Sequence, residues 1–289
     1  MANLKEIRRR IISVQGTQKI TRAMKMVAAA KLRKAQDHAE NFRDYSRLTS
    51  DVLAEVAADA EPDAHPLLKR RVAKSELVLV ISSDRGLCGG FNSNLNRTVL
   101  EKLKKDEISV ELAVVGKKAK GYFEHRNIAI QRMYDDVLEQ LNYQQAVKIA
   151  AELAALYEQG KYDRISLAYN EMVSVVSQVP TVRQLLPVAL PEKQDTGTGE
   201  IGPAGFVFEP NQKALLATLL PSYVEVKVFG ALLESVAAEH AARMSAMETA
   251  TNNAQDMIDS LTLVYNRARQ SAITNELMDI VGGAEALND

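Results

Sequence analysis

Residues 219–272 read LLPSYVEVKVFGALLESVAAEHAARMSAMETATNNAQDMIDSLTLVYNRARQSA, and one register runs through them. Leu219, Tyr223, Val226, Gly230, Leu233, Ala237, His240, Met244, Met247, Thr251, Ala254, Ile258, Leu261, Tyr265, Ala268 and Ala272 succeed one another at alternating steps of four and three. A seam of this kind predicts one helix packed against another along its length. At ~1.5 Å per residue such a helix spans about 80 Å, more than a compact domain can bury. It has to pair with a second long helix or thread through a partner.

The start of the chain supplies the pairing candidate. Leu4, Ile7, Ile11 and Val14, then Ile20, Met24 and Val27, then Tyr45, Leu48, Val52 and Val56 recur at three- and four-residue steps. Only Gly16 interrupts the pattern, whose phase shifts near residues 15–19, as happens where a partner or supercoil changes. Residues 61–66 (EPDAHP) end it, because two prolines so close together exclude a continuing helix. After Ala272 the C-terminal stripe slips by one residue to Ile273, Leu277, Ile280, Ala284 and Leu287, which predicts a tip leaving its partner.

Charge supports antiparallel pairing of the two ends. Residues 1–36 carry ten basic side chains against the single acid Glu6, while residues 234–289 carry nine acids against Arg243, Arg267 and Arg269. Exposed ion pairs contribute only ~0–1 kcal/mol each, so charge sets register and the seam supplies stability. The basic start superficially imitates a presequence, but its helical periodicity continues without a cleavage-like break to about residue 58. Aromatic content of 5% without Trp suits extended helix, and the lone Cys88 excludes an internal disulfide and fits a reducing compartment. No run of about 18 apolar residues is present, so no membrane span is expected.

The middle of the chain has another rhythm. Short β-rich runs at 77–83 (LVLVISS), 108–115, 128–134 and 165–169 alternate with helical stretches at 94–105, 117–125 and 144–159. This predicts a small, mostly parallel sheet flanked by helices. A fifth run, 179–188, contains Pro180 and Pro187 and belongs at a sheet edge or on a ribbon. Residues 191–210 (PEKQDTGTGEIGPAGFVFEP) read as a mobile loop, and Pro221 predicts a kink or restart of the last helix. The resulting division is a helix over 1–60, an α/β domain over 75–190, the loop, and a helix over 211–289.

Motifs for chemistry are sparse. The loop 82–92 (SSDRGLCGGFN) lies between a strand and a helix, where nucleotide-binding folds cradle phosphate, yet it is neither a P-loop nor GxGxxG and reads more readily as a structural turn. The four histidines lack ligand spacing, and no paired-carboxylate or Ser/His/Asp signature is present, so neither metal nor cofactor is expected. The basic N-terminal helix reads as a solvated or partner-facing surface rather than a nucleic-acid site. A nucleotide-dependent enzyme on the central sheet and a nucleic-acid-binding coiled coil stay open as rival readings.

Residues 15–29 (QGTQKITRAMKMVAA), 83–92 (SDRGLCGGFN), 177–186 (SQVPTVRQLL) and 263–283 (LVYNRARQSAITNELMDIVGG) resemble, in order and over essentially the whole chain, the gamma subunits of F-type ATP synthases. Residues 191–205 are the least similar. The resemblance implies an antiparallel coiled coil of both termini with a Rossmann-like α/β domain at its foot that binds no nucleotide. It implies alpha and beta subunits around the shaft, epsilon and the c-ring at the foot, and no nucleic-acid partner. By position, Arg269 and Gln270 match contacts to the beta catch loop, and Met24 and Arg243 match a coupling region with Gln270, Thr274 and Glu276. Phe206 and Phe208 match aromatic positions near epsilon and c. The absence of an inserted cysteine pair argues against a thiol switch, and the absence of a transit peptide implies a bacterial protein on the cytoplasmic face of the inner membrane.

Overall fold

The computed structural model describes residues 4–57, 64–139, 141–189 and 211–285. Its elements are α1 (Leu4–Ala57), β1 (Ser75–Ile81), α2 (Phe91–Lys105), β2 (Ser109–Val115), α3 (Lys117–Glu124), β3 (Ile130–Tyr134), α4 (Tyr143–Glu158), β4 (Arg164–Met172), β5 (Gln178–Leu186) and α5 (Gln212–Glu285). They form two compact units, Met1–Ala28 with Arg243–Asp289, and Ala29–Ala242.

The larger unit is built on a five-stranded sheet in the order β3-β2-β1-β4-β5. Its first four strands are parallel, and β5 pairs antiparallel with β4 at the edge. Pro180 therefore lies on an edge strand, where a missing amide is tolerated. Alternation along β1 makes two cores. Leu77, Leu79 and Ile81 join Leu153 and Tyr157 of α4, Leu53 of α1 and Leu216, Leu220 and Val228 of α5. Val78 and Val80 join Leu95 and Val99 of α2 and Ala119 and Phe123 of α3. With both faces covered, the central strand is apolar from Leu77 to Ile81, as buried parallel strands are.

Asp163 anchors the start of β1: its carboxylate accepts the Lys74 and Ser75 amides at 2.9 and 3.1 Å. These backbone donors, the Lys74 amide foremost, hold its pKa below the usual carboxylate value. Within the same unit α1 and α5 pack directly. Phe42 meets Phe229 edge-on at 4.8 Å between centroids and lies beside Gly230.

Three expectations need correction. First, the inward face of α1 does not change phase. Ile7, Ile11, Val14, Gln18, Thr21, Lys25, Ala28, Leu32, Ala35, Ala39, Phe42, Ser46, Thr49, Leu53 and Val56 are buried or half-buried at uninterrupted steps of four and three. Ile20, Val27, Tyr45, Leu48 and Val52 are exposed, Ile20 by 62%. Helices approach closely through small residues, so at Thr21, Ala28, Ala35 and Ala39 small side chains took the inside while the neighbouring large Ile20, Val27, Tyr45, Leu48 and Val52 stayed outside. Second, α5 runs through Pro221 without restarting. Its neighbours Leu220 and Val224 are buried in the sheet's core, and that packing offsets the amide that proline lacks. Third, α5 is apolar enough by composition to satisfy a membrane-span test. The apolarity between Leu216 and Ala242 instead serves two packed stripes, one on the sheet and one along the seam.

Candidate functional site

The smaller unit is a helix pair with a polar ladder across it. Gln18 Nε2 donates to Gln255 Oε1 at 2.9 Å, Thr251 Oγ1 donates to Thr21 Oγ1 at 2.8 Å, and Lys25 Nζ meets Glu248 Oε1 at 2.6 Å. As the first partner ascends from 18 to 25 the second descends from 255 to 248, so the pair is antiparallel. Thr21 donates its own proton to the Gln18 carbonyl at 3.0 Å, and Thr251 Oγ1 also lies 2.7 Å from the Met247 carbonyl, so the buried Thr21 hydroxyl and the half-buried Thr251 hydroxyl are both satisfied. Toward the end of α5 the seam is apolar, with Ala254 and Ile258 buried and Leu261, Tyr265 and Ala268 half-buried.

Large apolar side chains also lie on the outer surface of this unit, among exposed charged ones. Ile12, Ile20, Met26 and Val27 on α1, and Met257, Leu263 and Val264 on α5, are all exposed. Beyond Ala272 every side chain described is exposed, Ile280 by 67% and Met278 by 68%. Exposed apolar area on this scale marks a surface that meets another molecule.

Extending the ladder's register places the candidate residues on two levels. Met24 and Arg243 are half-buried and lie within about one and a half turns of each other. Arg269, Gln270, Thr274 and Glu276 are exposed, about 40 Å further along α5 and level with or beyond the start of α1. The chain alone therefore does not bring the two sets together. Thr274 donates back to the Gln270 carbonyl at 2.9 Å, which fixes its hydroxyl on the helix. Phe206 and Phe208, like the rest of 191–210, lie outside the described residues. The ladder itself was missed from sequence, although polar Gln18 and Thr21 in heptad register with Val14 and Ala28 are a readable signal.

In the larger unit, the 82–92 loop fills its own cradle. Asn92 Oδ1 accepts the Ser83 amide at 3.0 Å, and Asn92 Nδ2 donates to Ser83 Oγ at 2.8 Å and to Cys88 Sγ at 3.2 Å. Ser83 Oγ donates to the Arg85 carbonyl at 2.7 Å. The first amides of α3 are taken as well: Lys117 N by Asp84 Oδ1, Lys118 N by the Ser83 carbonyl and Ala119 N by Ser82 Oγ, each at 3.0 Å. An incoming phosphate would have to displace these internal acceptors. Gly116, with φ of +95°, is required where the strand turns, since a Cβ would sit 2.6 Å from the Ser82 carbonyl oxygen.

A polar groove runs between α1, β5 and α5 in this unit, with Arg43, Arg183, Lys227 and Glu234 among its lining. Burial, aided by Arg183, lowers the Lys227 pKa, and burial with the nearby Glu171 charge raises that of Glu234. Burial and then the Glu234 carboxylate push the Tyr169 phenol up to about 12. Among the described residues no group of three or more His, Cys, Asp or Glu is placed to hold a metal.

The family profile described as ATP synthase matches residues 3–287. Gamma chains of this enzyme align end to end: that of Anaeromyxobacter sp. (strain Fw109-5) is 49% identical, covering 99% of this chain and 100% of its own length. The chain belongs to the ATP synthase gamma-chain family. The gamma chain of Moorella thermoacetica is 45% identical over the same shares. Among solved structures, a chain of the central stalk and c-ring of the Tetrahymena thermophila mitochondrial ATP synthase is 27% identical, with a TM-score of 0.60 over 80% of this chain and 99% of that one. A chain of the Euglena gracilis mitochondrial ATP synthase, 21% identical with a TM-score of 0.69 over 98% of this chain and 94% of that one, shares the fold. The antiparallel helix pair and the α/β unit of this chain are thus a gamma-chain architecture.

Proposed function

We propose that this chain is the central rotor shaft of a bacterial F-type ATP synthase. It couples proton-driven rotation of a c-ring to ATP synthesis, or the reverse, at sites carried by an alternating ring of alpha and beta subunits. The chain has no catalytic site of its own. It sits peripherally at the cytoplasmic face of the inner membrane, held there through epsilon and the c-ring, with Phe206 and Phe208 near those contacts.

The observation that carries this reading is the surface of the helix pair: large apolar side chains such as Ile20, Val27, Met257 and Val264 stay exposed, while the seam and a ladder of polar contacts hold the two helices together. A shaft influences surrounding catalytic sites only through contacts that differ between orientations, because equal contact everywhere shifts no equilibrium. Each ~1.4 kcal/mol of such difference changes a site's affinity about tenfold. Ile20 and Val27 on one helix and Met257 and Val264 on the other give the pair unlike sides. On this reading Arg269 and Gln270 engage beta at one level, Met24 and Arg243 engage it at the other, and Thr274 and Glu276 belong to the exposed end that turns in a bearing.

Co-purification tests the reading. Tagged chain expressed with its alpha and beta subunits should travel with them as one complex that hydrolyses ATP, and recovery of the chain alone under those conditions would refute the assignment. Equilibrium titration with ATP or NAD separates off the enzyme reading, which requires binding by the isolated chain.

A further inference from the structure

The closed loop has a use that its empty phosphate chemistry leaves unexplained. Its outer side rests on α5: buried Cys88 and Phe91 form one cluster with Ala238 and Ala242, with Met172 of β4 against it. One turn earlier, Ser235 Oγ donates to the carbonyl of Ile81, the last residue of β1, at 3.2 Å in a buried position. Ser235, Ala238 and Ala242 share one helix face by their three- and four-residue spacing. Asn170 of β4 adds a bond from its Nδ2 to the Phe91 carbonyl at 3.3 Å.

We propose that the 83–92 loop is a second joint, beyond the core contacts of Leu216, Leu220 and Val228, fastening the sheet of the larger unit to α5 at residues 235–242. The grip consists of main-chain atoms, a serine, two alanines, a cysteine and a phenylalanine, groups with few rotatable bonds, so it resists twisting better than long side chains would. Ala238 and Ala242 let the loop backbone come close, and Asn92 keeps the loop rigid from within by filling the space a ligand would occupy. A position that nucleotide-binding sheets spend on phosphate is spent here on holding a helix. The mechanical consequence of this joint rests on the rotor reading, whereas its physical existence does not.

Asn92→Ala tests both. Residue 92 is not part of α5, yet in full-length protein the variant should speed hydrogen exchange of the α5 amides at 235–242, by roughly tenfold. In the assembled synthase, protons pumped per ATP hydrolysed should fall by half or more while hydrolysis changes little. Unchanged exchange at 235–242 would show that the loop does not hold the helix. Faster exchange with an unchanged pumping ratio, or equal losses of pumping and hydrolysis, would remove the mechanical role. Should Asn92→Ala fail to assemble, Ser235→Ala deletes a single hydroxyl bond and is held to the same readouts, with a smaller change. Failure of the chain to join an alpha/beta ring would sink the rotor reading and leave the exchange result standing.

Discussion

The two units of this chain differ in how much of their apolar surface they enclose. In the unit Ala29–Ala242 the interior is Leu77, Leu79, Ile81, Leu153, Tyr157 and Leu186, fully enclosed between a sheet and helices. In the unit of the two chain ends the inside mixes Ile7, Ala28, Met247, Ala254 and Ile258 with the polar Thr21, while Ile12, Ile20, Met26 and Val27 face out. The first arrangement stabilises the chain by removing apolar surface from water. The second holds two helices in one register and keeps apolar surface for something else.

The strongest way to break that contrast is to attack each interior. Leu153→Ala in the larger unit should cost about 3 kcal/mol, since the sheet and α4 cannot collapse into the space, and chemical denaturation followed by far-UV circular dichroism reads it directly. Ile258→Asp places a charge on the apolar part of the helix seam and should cost roughly 2 kcal/mol, less than in a sealed core because water reaches the edge of the pair. Its effect on ATP synthesis should exceed that of truncation after Thr274, since every residue described beyond that point is exposed. A truncation that stopped rotation beside a harmless Ile258→Asp would reverse the roles assigned to seam and tip.

Thr251→Val sharpens the comparison at a single rung. It keeps the volume but leaves the Thr21 hydroxyl without its incoming partner, so the pair should lose about 1 kcal/mol, visible as faster amide exchange near 21 and 251. Ile20→Ser should change stability by less than about 0.5 kcal/mol, although the same exchange in the larger unit's core would be severe. A measurable drop in ATP-driven pumping at unchanged stability is the expected outcome, and a large stability loss would mean that Ile20 is not an outer residue.

The smallest effect is confined to acid. Because backbone donors hold the Asp163 pKa below its ordinary value, its contribution is fully present above that ordinary value, near 3.8. It is lost as pH falls through the depressed one. Asp163→Asn should therefore flatten the acid limb of the unfolding midpoint against pH. A variant that keeps the full wild-type acid slope would exclude this anchor as a source of it.

Much of this was legible before any coordinates. The seam of 219–272 marked the inward side of α5, because spacing alone determines which residues of a helix share a face. The strand runs at 77–83, 108–115 and 165–169 fell where β1, β2 and β4 are, because buried parallel strands are continuous apolar stretches. The inward face of α1 was not legible by the same method. Ile20, Val27, Tyr45, Leu48 and Val52 point outward while Thr21, Ala28, Ala35 and Ala39 hold the inside, so a periodicity that weighs size loses the stripe wherever the partner wants small residues. Nor could the two levels of candidate contact be separated, because Met24 and Arg243 are distant in sequence and meet only through antiparallel register.

The amino-acid pattern by itself determined that both ends are helical, that they carry opposite charge, and that a doubly covered sheet lies between them. Those properties follow from periodicity and composition, which act locally. Only the tertiary structure decided which side of α1 faces in, that Gln18, Thr21 and Lys25 meet Gln255, Thr251 and Glu248, and that the 83–92 loop closes on Asn92 and grips α5. Each of these depends on residues far apart in the chain occupying one small volume, and a one-dimensional pattern holds no record of that volume until the packing is solved.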